Sequence, residues 1–140
     1  MSHTPRPKTI YERIAPRTTA ALQTIRHEVG ELLEREGVAH DRASDALLVL
    51  SELSTNAMHA AHYGEEIGVR IAMSAAGDIE VEVEDPGAGF RLSEGLRLPD
   101  QDEEHGRGLS IVCLLADETT VRRRRRHTVV RAKILAKRSA

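Results

Sequence analysis

Ile67-Gly-Val-Arg-Ile-Ala-Met-Ser-Ala-Ala-Gly-Asp-Ile-Glu-Val-Glu-Val-Glu-Asp85 is the stretch from which the fold is read. Ile67, Val69, Ile71 and Met73 alternate with Gly68, Arg70 and Ala72. After a short connection containing Gly77, Ile79, Val81 and Val83 alternate with Glu80, Glu82 and Glu84. A period of two marks strands with one face in a core and the other in water. Two such runs across a glycine-bearing connection predict neighbouring strands of one sheet.

Toward the N-terminus the period changes to that of helices. Asp41 is placed to cap a helix running through about Tyr63 and closed by Gly64, with Leu47, Leu50, Leu53, Ala57 and Ala61 as its core stripe. Before it, Thr18 or Thr19 caps a helix whose stripe is Leu22, Ile25, Val29, Leu32 and Leu33, and Gly37 sits at its expected end. Thr9 to Ile14 reads as a short strand with Ile10 and Ile14 on one side, halted by Pro16. Toward the C-terminus, Leu109 to Ala116 predicts a short buried helix with Cys113 in the core, followed by strands over Glu118–Arg123 and Thr128–Leu135. The order β-α-α-β-β-loop-α-β-β gives an α/β two-layer fold: one sheet, mixed but mostly antiparallel, with helices on one face.

Composition sets limits. A chain of 140 residues builds one domain, and residues 1–140 are read as such, with 1–8 flexible. Aromatics at 2% with no Trp argue against a base-stacking platform for single-stranded nucleic acid. The one cysteine, Cys113, allows no internal disulfide and suits a reducing compartment. No apolar run approaches a membrane span and no signal-peptide core is visible, so a cytoplasmic location without membrane contact is expected. The net charge of −2 hides a polarity: residues 121–140 carry nine Lys and Arg and no acid, while the first 120 sum to −11. The run Arg122–Arg126 invites a nucleic-acid reading. Strand alternation opposes it, by placing half of these arginines on the face that carries Glu80, Glu82 and Glu84. His59 and His62 stand three apart on a helix with no third ligand in sight, so a metal site there is discounted.

Three clusters carry chemistry. Glu52 and Asn56 in Glu52-Leu-Ser-Thr-Asn56-Ala57 are four apart on a helix and project from one face, a carboxylate and an amide able to hold a hydroxyl and a cation. On its own this is a solvated helix face. Asp85-Pro-Gly-Ala-Gly89 puts an acid at a strand end and two glycines where a ligand can approach the backbone; on its own it is a turn. Gly106-Arg-Gly108 directly precedes an apolar helix, and free amides at a helix start favour anions. It matches neither the P-loop nor the dinucleotide fingerprint.

In this order, Glu-x-x-x-Asn, Asp-x-Gly-x-Gly and Gly-x-Gly-Leu resemble the N, G1 and G2 boxes of GHKL ATPases. Leu47-Leu-Val-Leu-Ser-Glu-Leu53 and Gly106-Arg-Gly-Leu-Ser-Ile-Val112 resemble the RsbW-like anti-sigma-factor serine kinases within that superfamily. The likeness spans about Ile14 to Leu135. It implies a Bergerat-type GHKL ATPase fold and ATP and Mg2+ as cofactors. Asn56 is implied as the metal ligand and Glu52 as the general base. Asp85 would accept from the adenine amino group, with Gly87 and Gly89 beside the base. Gly106 and Gly108 would hold phosphate oxygens, Arg107 would meet the terminal phosphate, and Thr128 would lie near the adenine. Residues 90–105 correspond to the ATP lid, whose acidic end, Asp100-Gln-Asp-Glu-Glu104, suits solvent or a basic partner better than phosphates. Two positions depart from the family: Ala60 stands where many members have histidine, and His127 replaces a glycine before Thr128.

The implied activity is that of a protein serine kinase that sequesters a sigma factor and phosphorylates an anti-anti-sigma protein of the STAS type, commonly as a homodimer. The competing reading is a non-catalytic regulator in which nucleotide only sets affinity for a protein partner. Nucleic-acid binding through the basic end is the third reading and the least favoured.

Overall fold

The computed structural model describes residues 6–60, 66–85, 111–124 and 127–136. The hairpin forms as the alternation requires. β2 (Glu66–Met73) and β3 (Ile79–Asp85) run antiparallel, with Val69 opposite Val83 and Ile71 opposite Val81. Their turn is closed by Ser74 N–H to Asp78 O at 3.0 Å and Gly77 N–H to Ser74 O at 2.9 Å. Gly77 has φ of +97°, where a side chain is strained, which is why a glycine stands there.

β1 (Lys8–Pro16) pairs with the outer edge of β2. On the far side, β5 (His127–Ile134) pairs with β3, and β4 (Glu118–Arg124) pairs with β5. The order is β1-β2-β3-β5-β4, and every described pairing is antiparallel rather than mixed. One face of this sheet supplies Ile67, Val69, Ile71, Ile79, Val81, Val83, Val130, Ala132 and Ile134 to a single core.

Two helices cover that face. α1 (Thr19–Arg35) is capped by Thr18, whose Oγ1 accepts from Ala21 N–H at 3.1 Å. It ends in a Schellman turn: Gly37, at φ +80°, donates to Glu34 O, and Val38 donates to Leu33 O. Ile25, Val29 and Leu33 are its buried stripe. α2 (His40–Ala60) lays Ala46, Val49, Leu50, Leu53 and Ala57 into the core. The expected helix end at Tyr63 and Gly64, and Ala61, fall outside the described residues.

Two expectations are corrected. Ile14 is 70% exposed instead of sharing a buried side with Ile10. A register irregularity between Thr9 and Tyr11 shifts the alternation, so that Tyr11, Arg13 and Ala15 pair with the core-facing Ile71, Val69 and Ile67, while Ile14 faces Gly68. The segment 111–115 is helical but only its Val112 is buried; Cys113 is exposed and Leu114 is 82% exposed. Arg122 lies on the face that carries the β3 glutamates, as expected: it lines one cleft with Glu82 and Glu84 across β5, which sets Val129 opposite it, while the side chains of 123–126 lie outside the described residues. Glu82 is met by Arg70 and Arg131, whose Nη2 atoms lie 2.8 and 2.9 Å from its Oε1. Burial pushes the Glu82 carboxyl up, but the hydrogen bonds from Arg70 and Arg131 outweigh it and hold it below the ordinary value.

Candidate functional site

At the C-terminal end of β3 the apolar face turns polar. Asp85 closes the row begun by Ile79, Val81 and Val83, and is 1% exposed. Its partner across the ladder is Thr128 on β5, 3% exposed. Above them runs the C-terminal half of α2, which presents Leu53, Asn56 and Ala57. These residues, with Val83 and Val130, line a small recess of about 10 Å3, near the volume that accepts one water. Three buried polar side chains around an apolar floor are costly unless they serve a ligand or one another.

Asn56 shows that cost most plainly. It is 8% exposed, and its Nδ2 has no hydrogen-bond partner. A buried donor left unpaired loses about 1–3 kcal/mol. Glu52, one turn earlier on α2, is half-buried and is not among the residues lining the recess. The structure thus brings together Asn56, Asp85 and Thr128 from three elements distant in sequence and leaves Glu52 at their side. Gly87, Gly89, Gly106, Arg107, Gly108 and the expected lid, 90–105, lie outside the described residues.

Sequence reading missed the apolar floor of Leu53, Val83 and Val130 as ligand-facing, since nothing in a core stripe says which end stays open. It also missed Arg17, whose Nη1 donates to Met58 O in the last turn of α2 at 2.9 Å. Forty-one positions separate the two, and no local pattern announces such a contact.

Residues 15–134 match the model of the histidine kinase-like ATPase domain. The chain belongs to that family. Membership in the histidine kinase-like ATPase family implies ATP as the ligand. Among solved structures, the SiaB–SiaC complex from Pseudomonas aeruginosa matches with a TM-score of 0.70 and 20% identity, over 91% of this chain and 90% of that one. The RsbU and RsbW domains of a Mycobacterium tuberculosis protein match with a TM-score of 0.69 and 20% identity, over 96% of this chain. This chain spans only 34% of that longer one. At such identity both likenesses speak for the fold. No curated protein matches the chain. Among the described residues of this histidine kinase-like ATPase domain, no helix is long and apolar enough to cross a membrane.

Proposed function

We propose that the chain is an ATP-dependent protein serine kinase that regulates a protein partner. The observation that carries the ATP site is the convergence of Asn56, Asp85 and Thr128 on one recess. In this reading Asp85 accepts a hydrogen bond from the adenine amino group, with Thr128 beside it. Gly87 and Gly89 pass next to the base, and Gly106, Arg107 and Gly108 gather the phosphates.

Magnesium fits the donor set. Among the described residues no three His, Cys, Asp or Glu side chains gather to make a metal cage. Proteins usually hold Mg2+ through one or two side-chain oxygens, most often carboxylates, with waters and substrate phosphates completing the shell; here the amide oxygen of Asn56 would be the protein's ligand. When bound, the ion offsets phosphate charge. Asn56 orients toward it, and Glu52 receives the proton of the attacking serine hydroxyl. The serine oxygen bonds to the γ-phosphorus as the bond to the β–γ bridging oxygen breaks, and ADP leaves.

The partners are, by resemblance, a sigma factor and a STAS-type antagonist, and the matched SiaB–SiaC structure is itself a complex. One observation favours the competing reading: Glu52 does not line the recess, as a regulator that binds nucleotide without transferring phosphate would allow. Phosphate transfer from labelled ATP to STAS-type proteins, with Glu52→Gln beside the natural chain, decides between them. The kinase reading expects transfer, slowed about 10²–10⁴-fold in Glu52→Gln with nucleotide affinity kept. Transfer unchanged by the substitution removes Glu52 from the reaction. No transfer with retained ATP binding leaves the regulator.

A further inference from the structure

The last turn of α2 carries Asn56 into the recess. Met58 follows Asn56 by two residues on α2, and its backbone oxygen takes a donor from outside the helix. Asn56 gains no anchor through Nδ2, which has no partner. The placement of its amide is therefore as good as the placement of the turn beneath it.

That turn is tied down from outside the helix. Arg17 Nη1 donates to Met58 O at 2.9 Å, a cationic donor on a backbone carbonyl two residues from Asn56. The backbone of Arg17 is itself fixed on both sides. Before it, Ala15 is 1% exposed in the core and Pro16 ends β1. After it, Thr18 N–H donates to Pro16 O at 2.9 Å, and Thr18 caps α1. Arg17 thus links the β1–α1 junction to the turn that presents Asn56.

We infer that Arg17 is a positioning residue for the metal side of the nucleotide site, holding the last turn of α2 so that Asn56 meets the cation on the phosphates. The inference rests on the proposed Mg·ATP reading. It assigns Arg17 no contact with nucleotide. It predicts a selective defect: binding that depends on the Asn56 amide suffers, while binding that depends on Asp85 and Thr128, placed by the sheet, does not. Residues that orient a metal ligand typically contribute about 10–100-fold to metal affinity.

Calorimetric titration of the full chain with ATP plus Mg2+, and with ADP in a chelator, reads both quantities. Arg17→Met keeps an apolar stem and removes the donor. It is expected to weaken Mg·ATP about 10–100-fold with metal-free ADP affinity within about twofold. Arg17→Lys, a cation with a donor of poorer reach, is expected to recover part of the loss. In folded Arg17→Met, an undiminished Mg2+ increment, or an equal loss with and without metal, overturns the inference. If Arg17→Met does not fold, Arg17→Lys is judged by the same criterion: a loss confined to the metal-dependent increment supports it, and no loss or a uniform loss overturns it. A natural chain that binds nucleotide with no Mg2+ increment, or not at all, sinks the Mg·ATP reading itself and is seen before any variant is made.

Discussion

Asp85 is the residue at which chemistry and stability can be separated. Its carboxylate is 1% exposed at the end of a central strand. A buried acid facing the adenine amino group meets a donor in ATP, whereas guanine presents a carbonyl at that position. A hydrogen bond to a charged group is worth roughly 1.5–3 kcal/mol, about 10- to 100-fold in affinity. ATP should therefore outcompete GTP in displacing a fluorescent ADP analogue, and Asp85→Ala should weaken ATP far more than GTP. If Asp85 only closes a turn, the variant loses stability while the ATP/GTP ratio holds. A constant ratio in a folded variant would end the adenine assignment. Asn56 and Asp85 stood out because they sit in short ordered motifs, and Thr128 came from the resemblance alone; the structure sets all three on one recess. What could not be read was burial: Cys113 is apolar in context yet exposed, because the short helix 111–115 buries Val112 alone among its first four residues.

Elements follow the same division between local signal and tertiary placement. The hairpin, both helices and the Thr18 cap and Gly37 stop of α1 follow from local periods and caps, whereas α2 begins at His40, ahead of the expected cap Asp41. β1 shows the limit: a one-residue register irregularity reverses which side chains meet the core, and no single-strand pattern encodes it. The arginine run follows the strand alternation where it is described: Arg122 lines one cleft with Glu82 and Glu84, although β5 stands between β4 and β3. The pairing of Glu82 has a pH signature. Glu82 is held below its ordinary 4.5 against its own burial, by Arg70 and Arg131. A lowered folded value means a stabilising contribution that is complete above about pH 4.5 and is lost as pH falls through the folded value. Glu82→Gln should be destabilised at pH 7 by about 1 kcal/mol, discounted because both arginines are partly exposed. Denaturant melts from pH 7 down to 3 should show the gap between Glu82→Gln and the natural chain closing with acidity. A gap independent of pH would mean that packing, not charge, is what Glu82 contributes.

The whole molecule joins these scales because the recess lies between α2 and the ends of two central strands, so a ligand there touches both layers at once. The two-layer plan was readable, since alternation fixes one apolar sheet face and the helical stripes supply its cover. Strand order was not, because β5 enters between β3 and β4 only when the chain is folded. The charge polarity likewise dissolves in the fold: Arg131, from the basic end, lies 2.9 Å from Glu82 and 3.7 Å from Glu80. A nucleotide bound there would bridge both layers in the native state and be lost on unfolding, so it would raise global stability. At a hundredfold excess over Kd the gain is about 2.7 kcal/mol, and for a domain of this size that corresponds to a rise in Tm of roughly 5–15 °C. Mg·ATP should therefore raise Tm in proportion to the logarithm of its concentration, GTP should do so much less, and the shift should shrink in Asp85→Ala. Asn56→Ala should lose the increment due to Mg2+ while keeping a shift with metal-free ADP. A Tm unmoved by millimolar Mg·ATP would leave the three buried polar groups as a structural cluster and would remove the nucleotide from the account of this fold.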